Sequence, residues 1–145
     1  MSATLINIVW LKRDLRTQDH DPLQRAEKAG LPYFLLYCFE PTLYNYPDTS
    51  LRHLQFQYHS LRAINQQLLP FGKSVTITHG DAVDVFRYFL ENFSVECVFS
   101  HRESGTQTTW DRDKAIHKLL VAHSVTWKES QQNGVLRGIR DRTAW

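Results

Sequence analysis

A dense group of charged side chains follows the first apolar run of the chain. Lys12, Arg13, Asp14 and Arg16 come directly after the run Leu5–Leu11. A carboxylate among cations forms charge-assisted hydrogen bonds, so Asp14 is well placed to lock the loop to which these residues belong. Arg13 and Arg16 can also brace this domain against another one, and simple solubility at a strand end is the alternative explanation.

A second polar pair, His101 and Glu103, follows the apolar run Val95–Ser100. If that run is a strand of a parallel sheet, both residues lie beyond its carboxyl end, where such sheets bind their ligands. We therefore treat them as candidate contacts for a small molecule, with a loop-bracing pair or an interdomain contact as the alternative. Glu40 ends another apolar run, Tyr33–Phe39, and belongs to the same group of strand-end loops.

Several common binding and catalytic patterns are absent from the sequence. The six glycines form neither a dinucleotide-binding fingerprint nor a Walker loop for phosphates. His53 and His59 are six residues apart, as are His117 and His123, and this spacing does not put two metal ligands on one helix face. We therefore expect surface or partly packed histidines, and we predict no metal site and no catalytic residues.

Length and composition are those of an ordinary globular domain. The chain has 145 residues, close to the ~150 expected of one domain. Its hydrophobic content of 42% argues against intrinsic disorder, and a net charge of only +2 does not mark a dedicated nucleic-acid module. No apolar run approaches the ~20 residues of a membrane span, and no signal peptide is evident, so we expect a cytoplasmic protein with no membrane partner.

The cysteines and tryptophans are expected to pack rather than to react. Cys38 and Cys97 each lie in an apolar run, where cysteine most often behaves as a small buried hydrophobe. Trp10 and Trp127 lie in predicted strands, so we expect both in the core. Trp145 is the last residue and is assigned to an interface with whatever follows it.

Short apolar runs alternate with helical patterns along the chain. This alternation predicts an α/β fold: a Rossmann-like, doubly wound, five-stranded parallel sheet with helices on both faces. The strands are expected at Leu5–Leu11, Tyr33–Phe39, Ser74–Thr78, Val95–Ser100 and Val125–Glu129. The helices are expected at Pro22–Ala29, from Leu51 to about Pro70, from Asp81 to about Phe93, and from Trp110 to His123.

Residue types also predict how the helices begin and end. Asp21 followed by Pro22 predicts a helix start with Asp21 as the N-cap, and Gly30 predicts the end of that helix. Asp81 is expected to cap the third main helix with its side chain. Residues 42–49, rich in Asn, Pro and Asp, are expected to form a loop.

The order of several short motifs resembles that of the DNA photolyase/cryptochrome family. Val9–Arg16 followed by Asp19–Leu23 is similar to the family's opening signature, in which an aromatic and two basic residues precede Asp-Leu-Arg and an Asp-containing turn. Further similar motifs are the acidic-proline turn Tyr37–Pro41, Arg52 with the long helix after it, Gly80-Asp81, and Arg112-Asp113. Their ordered combination covers nearly the whole chain and maps it onto the family's N-terminal α/β antenna domain.

The resemblance implies a domain organisation and a function. Residues 1–130 would form the photolyase-type N-terminal domain and residues 131–145 the start of a connector to a C-terminal helical domain that binds FAD. The parent protein would be a deoxyribodipyrimidine photo-lyase, which uses light to repair pyrimidine dimers in damaged DNA. This chain would hold an antenna chromophore (a folate, deazaflavin or flavin) or serve as a scaffold, and would be inactive alone because the FAD site lies elsewhere.

The sequence also departs from the better-known branches of the family. Ser100–Gly105 replaces the Asn-rich stretch that touches the antenna in folate-binding members, and the tail from Gln132 to Trp145 resembles a less-characterised bacterial subgroup. A nucleotide-type binding module and a purely structural domain without light chemistry remain alternatives. The candidate cofactor-binding residues are Lys12, Arg13, Asp14, Glu40, His101 and Glu103.

Overall fold

A five-stranded parallel sheet runs through the centre of the computed structural model, which describes residues 4–45, 47, 50–103 and 105–131. The strand order is β3-β2-β1-β4-β5, so the order reverses between β1 and β4. All neighbouring strands are parallel. The strands are β1 (Leu5–Leu11), β2 (Tyr33–Phe39), β3 (Val75–His79), β4 (Ser94–His101) and β5 (Thr126–Ser130).

Helices connect the strands and cover both faces of the sheet. They are α1 (Asp21–Ala29), α2 (Pro41–Tyr44), α3 (Leu51–Leu68), α4 (Ala82–Asn92) and α5 (Gln107–Ala122), with a 3-10 turn at Leu69–Phe71. The predicted α/β class, the five parallel strands and the two helical layers are therefore confirmed. Strand and helix ends differ from the predicted ones by only a few residues.

Alternation along the central strand β1 divides the core into two layers. Ile8 and Trp10 pack with α4 and α5 on one face, and Val9 and Leu11 pack with α1 and α3 on the other. Because helices cover both faces, nearly every position of β1 is buried, as its continuous apolar run predicts. The edge of Trp10 meets the ring of Phe86 from α4 at a centroid distance of 5.0 Å.

The expected packing of the cysteines and tryptophans is confirmed where the structure describes it. Cys38 and Cys97 are buried and free. Trp10 is buried, and Trp127 packs partly buried against the same core layer. Trp145 and the predicted connector, apart from Gln131, lie outside the described residues.

The predicted cap of α1 is wrong. His20, not Asp21, is the N-cap residue, and its Nδ1 accepts a hydrogen bond from the Leu23 N–H at 3.1 Å. Asp21 is already helical, and its carboxylate pairs with Arg25 one turn later at 3.2 Å. The predicted stop at Gly30 is confirmed: this glycine has a left-handed φ of 76°, which a side chain would strain.

The predicted side-chain cap of α4 is also wrong. Asp81 occupies the N-cap position, but its carboxylate accepts hydrogen bonds from the N–H and hydroxyl of Thr42, at 3.1 and 2.6 Å. The first turn of α4 is capped from outside, because Glu40 Oε2 accepts the Ala82 N–H at 3.1 Å. The predicted loop at 42–49 instead begins within the short helix α2, which Pro41 starts.

None of the helices in the described part of the chain combines the length and apolar character needed to cross a membrane.

Candidate functional site

A cavity of about 460 Å³ opens beyond the carboxyl ends of β1, β2 and β4. This is the edge of the sheet at which the strand order reverses, the usual ligand position in doubly wound folds. The volume lies within the range of pockets that hold cofactor-sized molecules. Much of the wall is aromatic or aliphatic, contributed by Trp10, Leu15, Tyr37, Leu43 and Phe56.

Arg112, from the second turn of α5, organises the charged part of the wall. Its Nη1 donates to Glu40 Oε1 at 2.9 Å, and its Nη2 donates to Glu103 Oε2. Its Nε donates to Asp113 Oδ1 at 3.0 Å. One guanidinium thus joins the end of β2, the segment after β4 and helix α5.

The other two lining cations are also paired with carboxylates. Lys12 Nζ lies 3.3 Å from Asp113 Oδ2, and Arg13 Nε lies 2.9 Å from Glu103 Oε1. Lys12 is buried, whereas the side chain of Arg13 is 62% exposed. The cavity wall therefore carries strong local charges, but each of its Lys and Arg side chains already contacts a carboxylate of the protein.

Burial shifts the protonation equilibria of this cluster. Burial raises the pKa of Glu40, and the Arg112 guanidinium opposes that rise. Burial lowers the pKa of Lys12, opposed by the nearby Asp113. Although burial alone would lower the pKa of Arg112, its carboxylate neighbours raise it above the ordinary value, so Arg112 stays charged.

Two of these three paired cations, Lys12 and Arg112, also lie close to the indole ring of Trp10. Lys12 Nζ is 4.3 Å and Arg112 Cζ is 4.9 Å from the ring centroid, both within cation–π distance. Lys12 Nζ is 5.3 Å from the ring of Trp127, which is itself 5.9 Å from the ring of Trp10. Trp127 is held by a hydrogen bond from its Nε1 to Ser100 Oγ at 2.8 Å.

A second buried polar cluster surrounds Asp14 at the same edge of the sheet. Asp14 Oδ1 accepts the Lys12 N–H at 2.9 Å, while Oδ2 contacts Nε2 of His20 and Nδ1 of His101, the latter at 2.7 Å. All three side chains that form the cluster are almost fully buried. Burial alone would raise the pKa of Asp14, but the hydrogen bonds from His101 and His20 lower it well below its usual range.

The Asp14 cluster has metal-like spacing, since its ligand atoms lie within 4.8 Å of one another. The tautomer of His20 argues against a metal. Its Nδ1 accepts the Leu23 N–H and so carries no proton, which leaves the proton on Nε2 to be donated to Asp14. A metal at Nε2 would require a fully deprotonated imidazole, so His20 serves as a helix cap and a loop anchor.

The structure separates the six predicted site residues into two groups. Lys12, Arg13, Glu40 and Glu103 line the cavity. Asp14 and His101 meet in the sealed cluster and are not among the lining residues. Asp14 does lock its loop, as expected, but through a backbone amide and two histidines rather than through the neighbouring cationic side chains. The histidines whose spacing predicts surface or partly packed positions, His53, His59, His117 and His123, are exposed, whereas His20 and His101 are buried.

Several lining residues were not among the sequence candidates. They include Arg112, Trp10, Thr109 and Gln57. In the sequence, Arg112 belongs only to the Arg112-Asp113 motif, although its position shortly after a strand-end loop places it in the first turns of the next helix, beside that loop. The sequence predicts a core position for Trp10, and the structure places it both in the core and in the cavity wall, because it lies near the carboxyl end of β1.

A parallel sheet whose strand order reverses beside a cofactor-sized cavity defines a doubly wound α/β domain. A model of the DNA photolyase family matches residues 7–140. The chain belongs to this family and corresponds to the N-terminal α/β domain of photolyases and cryptochromes, which confirms the resemblance recognised in the sequence.

Individual relatives agree with this assignment. Cryptochrome DASH from Synechocystis sp. is 29% identical over 119 residues, which are 79% of this chain and 24% of the relative. Cryptochrome DASH from Danio rerio is 28% identical over 127 residues, which are 83% of this chain and 24% of the relative. The chain therefore spans about a quarter of the length of these relatives.

Solved structures show the same fold. The Synechocystis sp. PCC6803 cryptochrome matches with a TM-score of 0.82 at 24% identity, over 90% of this chain and 28% of that one. A class III photolyase from Agrobacterium tumefaciens matches with a TM-score of 0.74 at 25% identity, over 90% of this chain and 26% of that one. An archaeal photolyase from Sulfolobus tokodaii, described with two FAD molecules, matches with a TM-score of 0.78 at 24% identity, over 87% and 29%.

Proposed function

We propose that this chain is the light-harvesting domain of a photolyase-like flavoprotein and that its cavity binds the antenna chromophore. The observation that carries the proposal is the cavity itself, an aromatic-walled space of about 460 Å³ at the reversal of strand order. Flat ring systems such as flavins, deazaflavins and pterins match a wall of this kind, because aromatic side chains stack on them and a few polar groups orient them.

The charges of the wall favour an uncharged ring over a nucleotide held by its phosphates. Lys12, Arg13 and Arg112 each already pair with a protein carboxylate. A phosphate would have to compete with Glu40, Glu103 or Asp113 for these cations, and the chain offers no glycine-rich loop to supply backbone donors instead. Any phosphate of the ligand would then lie towards solvent, near the exposed Arg13.

The remaining part of the proposed function concerns the parent protein. A C-terminal helical domain of the same protein would bind FAD, receive the excitation energy and repair pyrimidine dimers in DNA, and this chain alone would be inactive in repair. Lys12, Arg13, Glu40 and Glu103 would contact the chromophore, while Asp14 and His101 would fix the loop that carries the first two.

Binding is tested by titrating the chain with riboflavin, 5-deazariboflavin, FAD and 5,10-methenyltetrahydrofolate and measuring fluorescence anisotropy. FAD is included because the Sulfolobus tokodaii photolyase was described with two FAD molecules. We expect saturable binding of at least one flavin-type ring. Gln57→Trp, which fills the cavity from α3, should weaken that binding about tenfold or more.

The matched control is Gln55→Trp, which adds the same bulk to an exposed position of the same helix outside the cavity lining. It should leave binding unchanged. If none of the four molecules binds, or if Gln57→Trp binds as tightly as Gln55→Trp, the cavity is not a chromophore site and the domain is a scaffold. Binding of DNA by this chain should in any case be weak and sensitive to salt.

A further inference from the structure

Trp10 presents a problem for any light-harvesting site. Its indole lines the cavity and is itself almost fully buried, so an aromatic ligand in the cavity would lie against it or close to it. An excited aromatic chromophore is a much stronger oxidant than the same molecule in its ground state, and indole is among the most easily oxidised side chains. Electron transfer from Trp10 would end the excitation before the energy could be passed on.

Two cations flank the indole at the point where this loss would occur. Lys12 Nζ and Arg112 Cζ lie 4.3 and 4.9 Å from its ring centroid. Both cations attract the neutral ring through its π electrons. Removal of one electron would leave the ring positively charged, and repulsion between unit charges at these distances inside a protein is several times the thermal energy.

The surrounding carboxylates hold the cations in place. Asp113 contacts both of them, and Glu40 and Glu103 contact the outer nitrogens of Arg112. These carboxylates offset part of the positive charge, but it is the cations that lie within cation–π distance of the ring.

We propose that Lys12 and Arg112 make Trp10 a poor electron donor, so that a chromophore excited in the cavity keeps its energy instead of oxidising the cavity wall. The prevented step is a one-electron transfer in which the indole is oxidised and the excited molecule is reduced. Lys12 also covers Trp127, the neighbouring indole to which the positive charge would otherwise move. This role rests on the proposed light-harvesting function.

The electrostatic part is tested without any ligand in the cavity. The chain is illuminated with ruthenium tris-bipyridine and persulfate, which generate a one-electron oxidant in solution, and oxidised tryptophan is located by peptide mass spectrometry. Lys12→Met removes the charge and keeps an unbranched side chain, one atom shorter than that of lysine. It should raise oxidation at Trp10 about tenfold, because one of the two opposing charges is gone.

The matched control is Lys114→Met, which removes the cation 5.3 Å from the ring centroid of the exposed Trp110. This variant should leave the yield of oxidised Trp10 unchanged. If the Met variant of Lys12 does not fold, Lys12→Gln keeps a hydrogen-bond donor for Asp113 and serves the same test. Equal yields at Trp10 with and without the Lys12 charge would overturn the proposal.

The consequence for a bound ring is tested with riboflavin, whose fluorescence lifetime is measured in the complex. Lys12→Met should shorten the lifetime of bound riboflavin about tenfold, and adding Trp10→Phe should restore it, which a merely structural effect would not do. An unchanged lifetime in Lys12→Met contradicts the proposal. If riboflavin does not bind the chain, riboflavin itself is excluded as the ligand, while the ligand-free experiment still decides the role of Lys12.

Discussion

The two buried polar clusters at the carboxyl edge of the sheet use opposite designs. In one, a single carboxylate, Asp14, gathers hydrogen bonds from the Lys12 backbone, His20 and His101. In the other, a single guanidinium, Arg112, gathers several carboxylates and faces the cavity. The first cluster is sealed from the cavity and joins three backbone segments, whereas the second forms part of the wall.

The two clusters therefore have different structural roles: one positions a loop, and the other forms the cavity wall. Asp14 ties the loop after β1 to the start of α1 and to the end of β4, so it determines where Lys12 and Arg13 lie although it does not line the cavity itself. Arg112 lines the cavity itself and holds Glu40 and Glu103 there. Removal of either residue should therefore lower stability, but the sealed cluster should tolerate the loss less well.

The largest effect is expected for Asp14→Ala. Three donors would lose their acceptor in a site with almost no access to water, and the free energy of unfolding should fall by about 3–5 kcal/mol. Urea denaturation followed by circular dichroism measures this change. Asp84→Ala, which removes an exposed carboxylate on α4, is the control and should have little effect. A loss below about 1 kcal/mol for Asp14→Ala would show that the cluster does not anchor the loop.

A smaller loss is expected for Arg112→Met. Glu40 and Glu103 would lose their main partner, but Glu103 would keep Arg13 and Glu40 would keep the Ala82 amide. We expect the free energy of unfolding to fall by about 2–4 kcal/mol. Combining Arg112→Met with Glu40→Gln should recover part of this loss, since the second change removes an uncompensated charge. A double variant less stable than Arg112→Met alone would contradict this interpretation.

Acidification should also change the contributions of the two clusters to the free energy of unfolding in opposite directions, as judged from Asp14 in one and Glu40 in the other. The pKa of Asp14 is lowered in the folded state, so its contribution to stability is present above the ordinary carboxyl pKa and is lost as the pH falls below it. The stability difference between wild type and Asp14→Asn should therefore narrow by more than about 1 kcal/mol from pH 6 to pH 3. Denaturant titrations at several pH values measure it.

Glu40 provides the matched comparison for the same titration. Burial raises its pKa, so the folded state binds a proton more readily than the unfolded state and gains stability as the pH falls through the folded pKa. Relative to Glu40→Gln, wild type should therefore become more stable on acidification, the reverse of the Asp14 comparison. If the stability difference from wild type changes with pH in the same direction for Asp14→Asn and for Glu40→Gln, the proposed division between the clusters is refuted.

The fold could be predicted because it follows from local patterns. The continuous apolar run of β1 requires burial on both faces, and the alternation of such runs with helical patterns predicts helices on both sides of a parallel sheet. The helix caps were harder to predict from sequence, because they depend on which side chain reaches a helix end in space. Glu40, from the loop after β2, caps α4, while the adjacent Asp81 turns to Thr42 instead.

The site was predicted in part for the same reason. Strand ends are visible in the sequence, and this placed Lys12, Glu40 and Glu103 correctly at one edge of the sheet. The pairing of partners was not visible, because Arg112 is 72 residues from Glu40 and His101 is 87 residues from Asp14. Only the strand order, which brings β4 beside β1, puts these groups in contact.

The smallest expected effect concerns the partly exposed rim of the same edge, where Asp81 accepts two hydrogen bonds from Thr42. Water can replace an exposed acceptor, so Asp81→Ala should lower the free energy of unfolding by only about 0.5–1 kcal/mol. Thr42→Val keeps the shape and removes the hydroxyl donor, and a double-mutant cycle between the two positions isolates their coupling. Since Asp14 and Asp81 are both carboxylates that receive backbone and side-chain donors, a loss at Asp81 as large as that at Asp14 would mean that burial does not account for the strength of the sealed cluster.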